Sequence, residues 1–154
     1  MISTVLSLIF ALAFTAAPAV AANVGFVEVK TANGAEEPLA AAIWYPTDAP
    51  TAEHSLNTFT QFVAPLAPVV GRDLPLVAIS LGGAGSLASH YDTALALAEA
   101  GFVAAAVSHA GDTYNDQSQV LKLWRRPEQL RAGRVGLQAD QVGLICLPAA
   151  YRTH

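Results

Sequence analysis

Cysteine is almost missing from this chain. Cys146 is the one thiol, so no internal disulfide can form, and a folded domain must rest on its apolar core. Charge is scarce too: 13% of the residues are charged and the formal net charge is −4 at pH 7. That leaves no basic surface of the kind a nucleic-acid partner needs. Residues 1–22, MISTVLSLIFALAFTAAPAVAA, carry no charged side chain. An apolar run from Val5 to Phe14 is followed by small residues, Pro18 and the A-x-A triplet Ala19-Val20-Ala21, the pattern of a secretory signal peptide. The apolar stretch is shorter than the ~20 residues of a spanning helix and Pro18 interrupts it, which weighs against the alternative of an uncleaved anchor. The expectation is a secreted or periplasmic protein with no stable membrane span after cleavage. Its mature chain starts near Ala22 or Asn23, and the 154 residues leave room for one domain, 23–154.

What is present points to α/β. Val24 to Lys30 alternates as a half-buried strand does. Asn33-Gly34 favours a tight hairpin turn, and Leu39 to Tyr45 supplies a returning strand that Pro46 stops. Residues 46–75, rich in Pro, Thr and Ala, show no lasting period and read as a long surface connection. Leu76 to Ser80 is a short apolar run of the buried parallel-strand type, followed by Gly82, Gly83 and Gly85. Ser89 and Asp92 have capping-box spacing, and Tyr91, Ala94, Leu95 and Ala98 fall on one helical face. Gly101 stands where a helix C-terminus wants glycine, and Phe102 to Val107 reads as a second buried strand. Strand, glycine loop, helix and strand make a βαβ unit, so the sequence predicts an N-terminal β-hairpin leading into a parallel α/β sheet. A polar loop follows, then a helix entered near Pro127, and Gln141 to Leu144 as a further strand.

The glycine loop admits three readings. Gly83-Ala84-Gly85-Ser86-Leu87-Ala88 matches G-x-G-x-x-A, a dinucleotide fingerprint. Against it, the next strand ends in Ser108-His109 instead of the acid that would hold a ribose. A P-loop is excluded, because no Gly-Lys-Ser/Thr follows. The second reading is an oxyanion hole, where glycines let backbone N–H groups approach a developing negative oxygen. The third is tight packing of a helix on a strand.

Four stretches carry a resemblance: AIWYPT (Ala42–Thr47), LPLVAISLGGAGS (Leu74–Ser86), ALAEAGFVAAAVSHAGDTYND (Ala96–Asp116) and LWRRPEQL (Leu123–Leu130). Together, over roughly Val24 to Leu144, the chain resembles the exported dienelactone-hydrolase-like group of α/β-hydrolases, related to platelet-activating-factor acetylhydrolases. The resemblance implies serine-dependent ester or lactone hydrolysis through an acyl-enzyme, with no cofactor and no metal, on a small ester or lipid substrate. It places oxyanion-hole backbone at Gly82 and Gly83, and Leu81, His109 and Asp112 at the rim. Leu81-Gly82 stands where the group usually has His-Gly.

The group's nucleophile sits in G-x-S-x-G-G after the fifth strand, with Asp and His later. Here the QVGL run is followed by Ile-Cys-Leu-Pro-Ala-Ala-Tyr-Arg-Thr-His, with no serine, glycine or acid after Gly143. No catalytic nucleophile is therefore identified, and the chain as it stands is expected to be an inactive portion of a hydrolase. Cys-Leu-Pro-Ala-Ala can be encoded TGT-CTG-CCG-GCG-GCN, which read from the third base gives Ser-Ala-Gly-Gly. A frameshift near Leu144–Cys146 is one expectation this raises, beside a genuine short chain and a pseudogene product. Among the residues present, Ser89 reads as a helix cap, His90 as an exposed first-turn residue, Asp92 as a charge on the helix dipole, and Ser80 as a strand end. Ser86 with His109 is the pairing left open as a triad fragment, while Cys146 reads as a plain thiol. His54 falls in the connection, and Trp44 and Trp124 read as packing residues. The rival class is a non-catalytic exported module that binds a small molecule or lipid in the same cleft. A dinucleotide-binding domain comes after it.

Overall fold

The computed structural model describes residues 23–131. The signal-peptide segment, the QVGL strand, Cys146 and His154 lie outside the described residues. Six strands form one mixed sheet: β1 (Asn23–Asn33), β2 (Glu36–Thr47), β3 (Ala52–Leu56), β4 (Phe59–Pro65), β5 (Leu76–Ser80) and β6 (Val103–Val107). The α-helix α1 (Tyr91–Glu99) joins β5 to β6, and residues 126–131, which include Arg126 and Gln129, are helical as expected near Pro127. The spatial order is β3-β4-β1-β2-β6-β5. β2 runs antiparallel to β1 and to β6, whereas β5 and β6 are parallel. The architecture is therefore mixed α/β.

The stretch 46–75 is not a bare connection. It contains the β3–β4 hairpin, paired from Ala52↔Val63 to Leu56↔Phe59. Its turn is Asn57-Thr58, with Asn57 at φ 53°, a left-handed conformation that asparagine tolerates better than most residues. That asparagine was the available signal. His54 consequently sits in a strand, with its ring centroid 5.1 Å from that of Phe26. Because the hairpin lies at the far edge beyond β1, β5 remains the third strand of the β1-β2-β6-β5 part.

Alternation decides what each face buries. In β6, Ala104 and Ala106 face one core, with Trp44, Phe26 and Val24. Val103, Ala105 and Val107 face the other, with Ile43 and Tyr45. The alanines matter because α1 lies on their face and brings its own Ala94 and Ala98 against it. Small side chains on both surfaces allow close approach. Tyr91 and Leu95 flank that contact, so the helical face read from the sequence is the buried one.

The C-terminal end of α1 matches the sequence expectation, and the N-terminal end does not. Gly101, at φ 90°, donates to Ala98 O at 3.0 Å, and Phe102 N–H donates to Leu97 O at 3.0 Å. This is the paired arrangement that glycine one position past the helix makes possible. At the N-terminus, Ser89 is not the cap: His90 occupies that position and makes no side-chain cap bond. The hydroxyl of Ser89 instead accepts from Ser86 N–H at 2.9 Å, closing a turn that delays the helix until Tyr91. That short local bond competes with the capping geometry. No helix among the described residues is long and apolar enough to cross a membrane.

Candidate active site

Parallel neighbours finish on the same side of a sheet, so the loops after β5 and β6 leave together. The pairing Ser80↔Val107 sets the end of β5 two residues before His109. Ligands of open α/β sheets commonly bind at such carboxyl ends. The two loops are tied to each other. Gly85 bridges to Thr113, and Tyr114 N–H donates to Gly85 O at 3.3 Å. Gly111, at φ 70°, has to be glycine, since a Cβ there would lie 2.6 Å from Gln119 Cγ.

Asp112 is the centre of this tie. It is 5% exposed. Its Oδ1 accepts from Ala84 N–H at 2.9 Å, and its Oδ2 accepts from Arg126 Nε at 2.7 Å and from a second guanidinium nitrogen. Ala84 is thereby held at φ 53°, a conformation an alanine rarely adopts unaided. Burial works to raise the Asp112 pKa, but the Ala84 N–H, Arg126 and His109 outweigh it. The carboxyl is held below its ordinary value of 3.8.

Beside this tie runs a second chain of polar groups. His109 Nε2 lies 3.0 Å from Ser80 Oγ, and its Nδ1 lies 3.1 Å from Gln129 Oε1. His109 and Gln129 are buried, and Ser80 is exposed. The amide oxygen of Gln129 only accepts, so Nδ1 carries the hydrogen and Nε2 is left to accept the Ser80 hydroxyl. Burial lowers the His109 pKa below 6.5. The Gln129 bond raises it, Arg126 lowers it, and Asp112 raises it, with a net depression. The imidazole is neutral at pH 7.

The residues singled out from the sequence are placed as follows. Gly82 and Gly83 lie on the exposed turn after β5, and neither N–H has a hydrogen-bond partner among the described residues. Leu81 is corrected: its side chain is 2% exposed and packs in the core with Ala88 and Ala94, so only its backbone borders the site. His109 and Asp112 lie beneath the surface, not on a rim. Ser86 does not meet His109; its hydroxyl accepts from Ala88 N–H at 3.3 Å. Trp44 is in the core, whereas Trp124 stands 72% exposed in a short 3-10 turn. Ser80, Gln129 and Arg126 were missed. The ends of two adjacent parallel strands were a usable signal for Ser80, and the LWRRPEQL stretch held Arg126 and Gln129 without singling out either.

The glycines differ in why they are glycine. Gly85 is needed for packing, since a Cβ there would lie 2.9 Å from Gly82 O. A Cβ on Gly82 would meet nothing within 4 Å, and its φ is not left-handed. Among the described residues, neither a left-handed backbone nor a close neighbour requires glycine at position 82. The dinucleotide reading fares poorly here. The Asp112 carboxylate already occupies the Ala84 N–H, and α1 begins six residues after Gly85. No cluster of metal-ligating residues occurs among the described residues.

The protonation states make a stability prediction. Below pH 6.5 the unfolded chain binds a proton on His109 that the folded chain resists, so the unfolded state holds more protons and stability falls as the pH is lowered. Asp112 acts the same way further down: its contribution is present above 3.8 and lost as pH falls through its depressed folded value. Urea midpoints are expected to fall from pH 7.5 to 5.5. The His109 part of that slope should be absent in His109→Gln, and an identical slope in that variant would contradict the assignment.

No protein-family model matches the sequence, and no curated protein matches it. Eight chains among solved structures match. One is a ferulic acid esterase from Streptomyces cinnamoneus, 20% identical with a TM-score of 0.49, the match covering 64% of this chain and 36% of that one. The chain thus spans about a third of that esterase's length.

Proposed function

We propose that this chain forms the oxyanion side of an ester-hydrolysing site in an α/β-hydrolase of the dienelactone-hydrolase-like group. The carrying observation is Gly82: among the described residues nothing conformational or steric requires glycine there, and neither its N–H nor that of Gly83 has a partner. In α/β-hydrolases one oxyanion donor comes from the loop between the third strand and the first helix. The loop between β5 and α1 holds that position in the β1-β2-β6-β5 part. Donors fixed before reaction avoid reorganisation when the negative oxygen forms. The Asp112 clasp on Ala84 supplies such fixing one residue beyond the donors. The substrate class in this reading is a small ester or lipid ester. A secreted or periplasmic location belongs to the same reading and rests on residues 1–22 alone.

The test is hydrolysis of 4-nitrophenyl acetate by the full chain. No full esterase activity is expected, and the residual acceleration should be at most on the order of 10³ over water, what an oxyanion hole and binding retain without a full triad. Methyl methylphosphonate, a tetrahedral monoanion, should compete it away. A buffer-level rate with saturable phosphonate binding would instead favour the non-catalytic binding module. Tight NAD binding in a fluorescence titration, with no phosphonate effect, would overturn the reading.

A further inference from the structure

We propose that Ser80 is an activated nucleophile, with His109 as its base and Gln129 holding the imidazole, that accepts an acyl or phosphonyl group from an electrophile seated at Gly82 and Gly83. The electrophile class rests on the proposed function, whereas the activation rests on geometry alone. A nucleophilic serine is recognised by a base within hydrogen-bond reach and a third group orienting that base. Ser80, His109 and Gln129 meet that pattern through contacts of 3.0 and 3.1 Å. The chemistry also needs access on one side and shelter on the other. Ser80 is exposed, and His109 is 1% exposed. The N–H groups of Gly82 and Gly83, without partners among the described residues, follow Ser80 by two and three residues.

The step balances with groups on hand. Ser80 Oγ bonds to the carbonyl carbon as its proton passes to His109 Nε2, and the carbonyl oxygen becomes the oxyanion. When the tetrahedral species collapses, the bond to the alcohol breaks, and the alkoxide takes the proton from Nε2. Acyl-Ser80 and free alcohol remain, with His109 neutral again. Gln129 fixes the tautomer but carries no charge to offset the imidazolium, and Arg126 lies near enough to disfavour it. Transfer to Ser80 is therefore expected to be slow and stoichiometric, without rapid turnover.

The experiment is reaction of the full chain with an alkyl fluorophosphonate, read by intact mass and peptide mapping. Here Ser80 Oγ bonds to phosphorus, fluoride leaves with the bonding pair, and the proton goes to His109 and then to water. One phosphonyl group per chain, mapped to Ser80, is expected. Labelling should slow at least ~100-fold in His109→Ala, the low end for loss of a general base. Gln129→Glu should label faster than the parent, which a merely structural glutamine would not permit. Ser86→Ala should label as the parent does. No label, or label at another serine, overturns the proposal whatever the variants do. If 4-nitrophenyl acetate is still accelerated in that case, the oxyanion reading stands without Ser80. If both label and acceleration are missing, both readings fall.

Discussion

Asp112→Ala is expected to destabilise the folded chain by about 3 kcal/mol, the low end for removing one partner of a buried ion pair. The low end applies because the Arg126 side chain keeps 20% exposure and recovers some hydration, while the Asp112 side chain is 5% exposed. Two groups lose their acceptor at once, the Arg126 guanidinium and the Ala84 N–H. The second loss reaches the site. Ala84 holds a left-handed backbone, and without its anchor the turn carrying Gly82 and Gly83 is free to relax. Asp112→Asn keeps an acceptor for Ala84 and loses the charge, so its cost should be smaller. Urea unfolding of the parent and the two variants checks this ordering. Equal midpoints for the parent and Asp112→Ala would show that the clasp contributes nothing.

Trp44→Ala should cost about 3–5 kcal/mol, the range for a large aromatic removed from a core. Trp44 is fully buried and its ring centroid lies 5.1 Å from that of Phe26. Its indole N–H donates to Gln61 Oε1 at 2.8 Å, and Gln61 Nε2 has no partner among the described residues. Losing the indole therefore opens a cavity and leaves a buried amide without its bond. Domains are commonly stable by only about 5–15 kcal/mol, so the variant sits near the edge of folding at 25 °C. Trp44→Phe keeps most of the volume and loses the hydrogen bond, for about 1–3 kcal/mol. A Trp44→Ala chain that unfolds at the parent's urea midpoint would contradict this view of the core.

The βαβ unit was legible because its signals are local and agree. Apolar runs of strand length, one helical face, and a glycine placed for a C-terminal cap all sit within Leu76–Val107. The β3–β4 hairpin was not legible: its strands are short, at the sheet edge and half polar, and Asn57 alone announced the turn. Gly82 and Gly83 were picked out from a loop pattern alone, because a proposed backbone donor needs only glycine and position. Leu81 was misjudged, since neighbours in a loop point in different directions and only the fold says which enters the core. The contacts Ser80–His109, His109–Gln129 and Asp112–Arg126 span 29, 20 and 14 residues. Such pairings arise from how the chain returns on itself, which no local pattern encodes.

The central claim is that Gly82 and Gly83, whose N–H groups have no partner among the described residues, present them to a tetrahedral anion. The most direct measurement is a titration of the ¹⁵N-labelled full chain with methyl methylphosphonate, following the backbone amides. Saturable downfield shifts of the Gly82 and Gly83 amide protons are expected, with Ala84 little changed because its N–H already serves Asp112. Shifts centred on Tyr91–Thr93 at the start of α1, or none at Gly82 and Gly83, would contradict it.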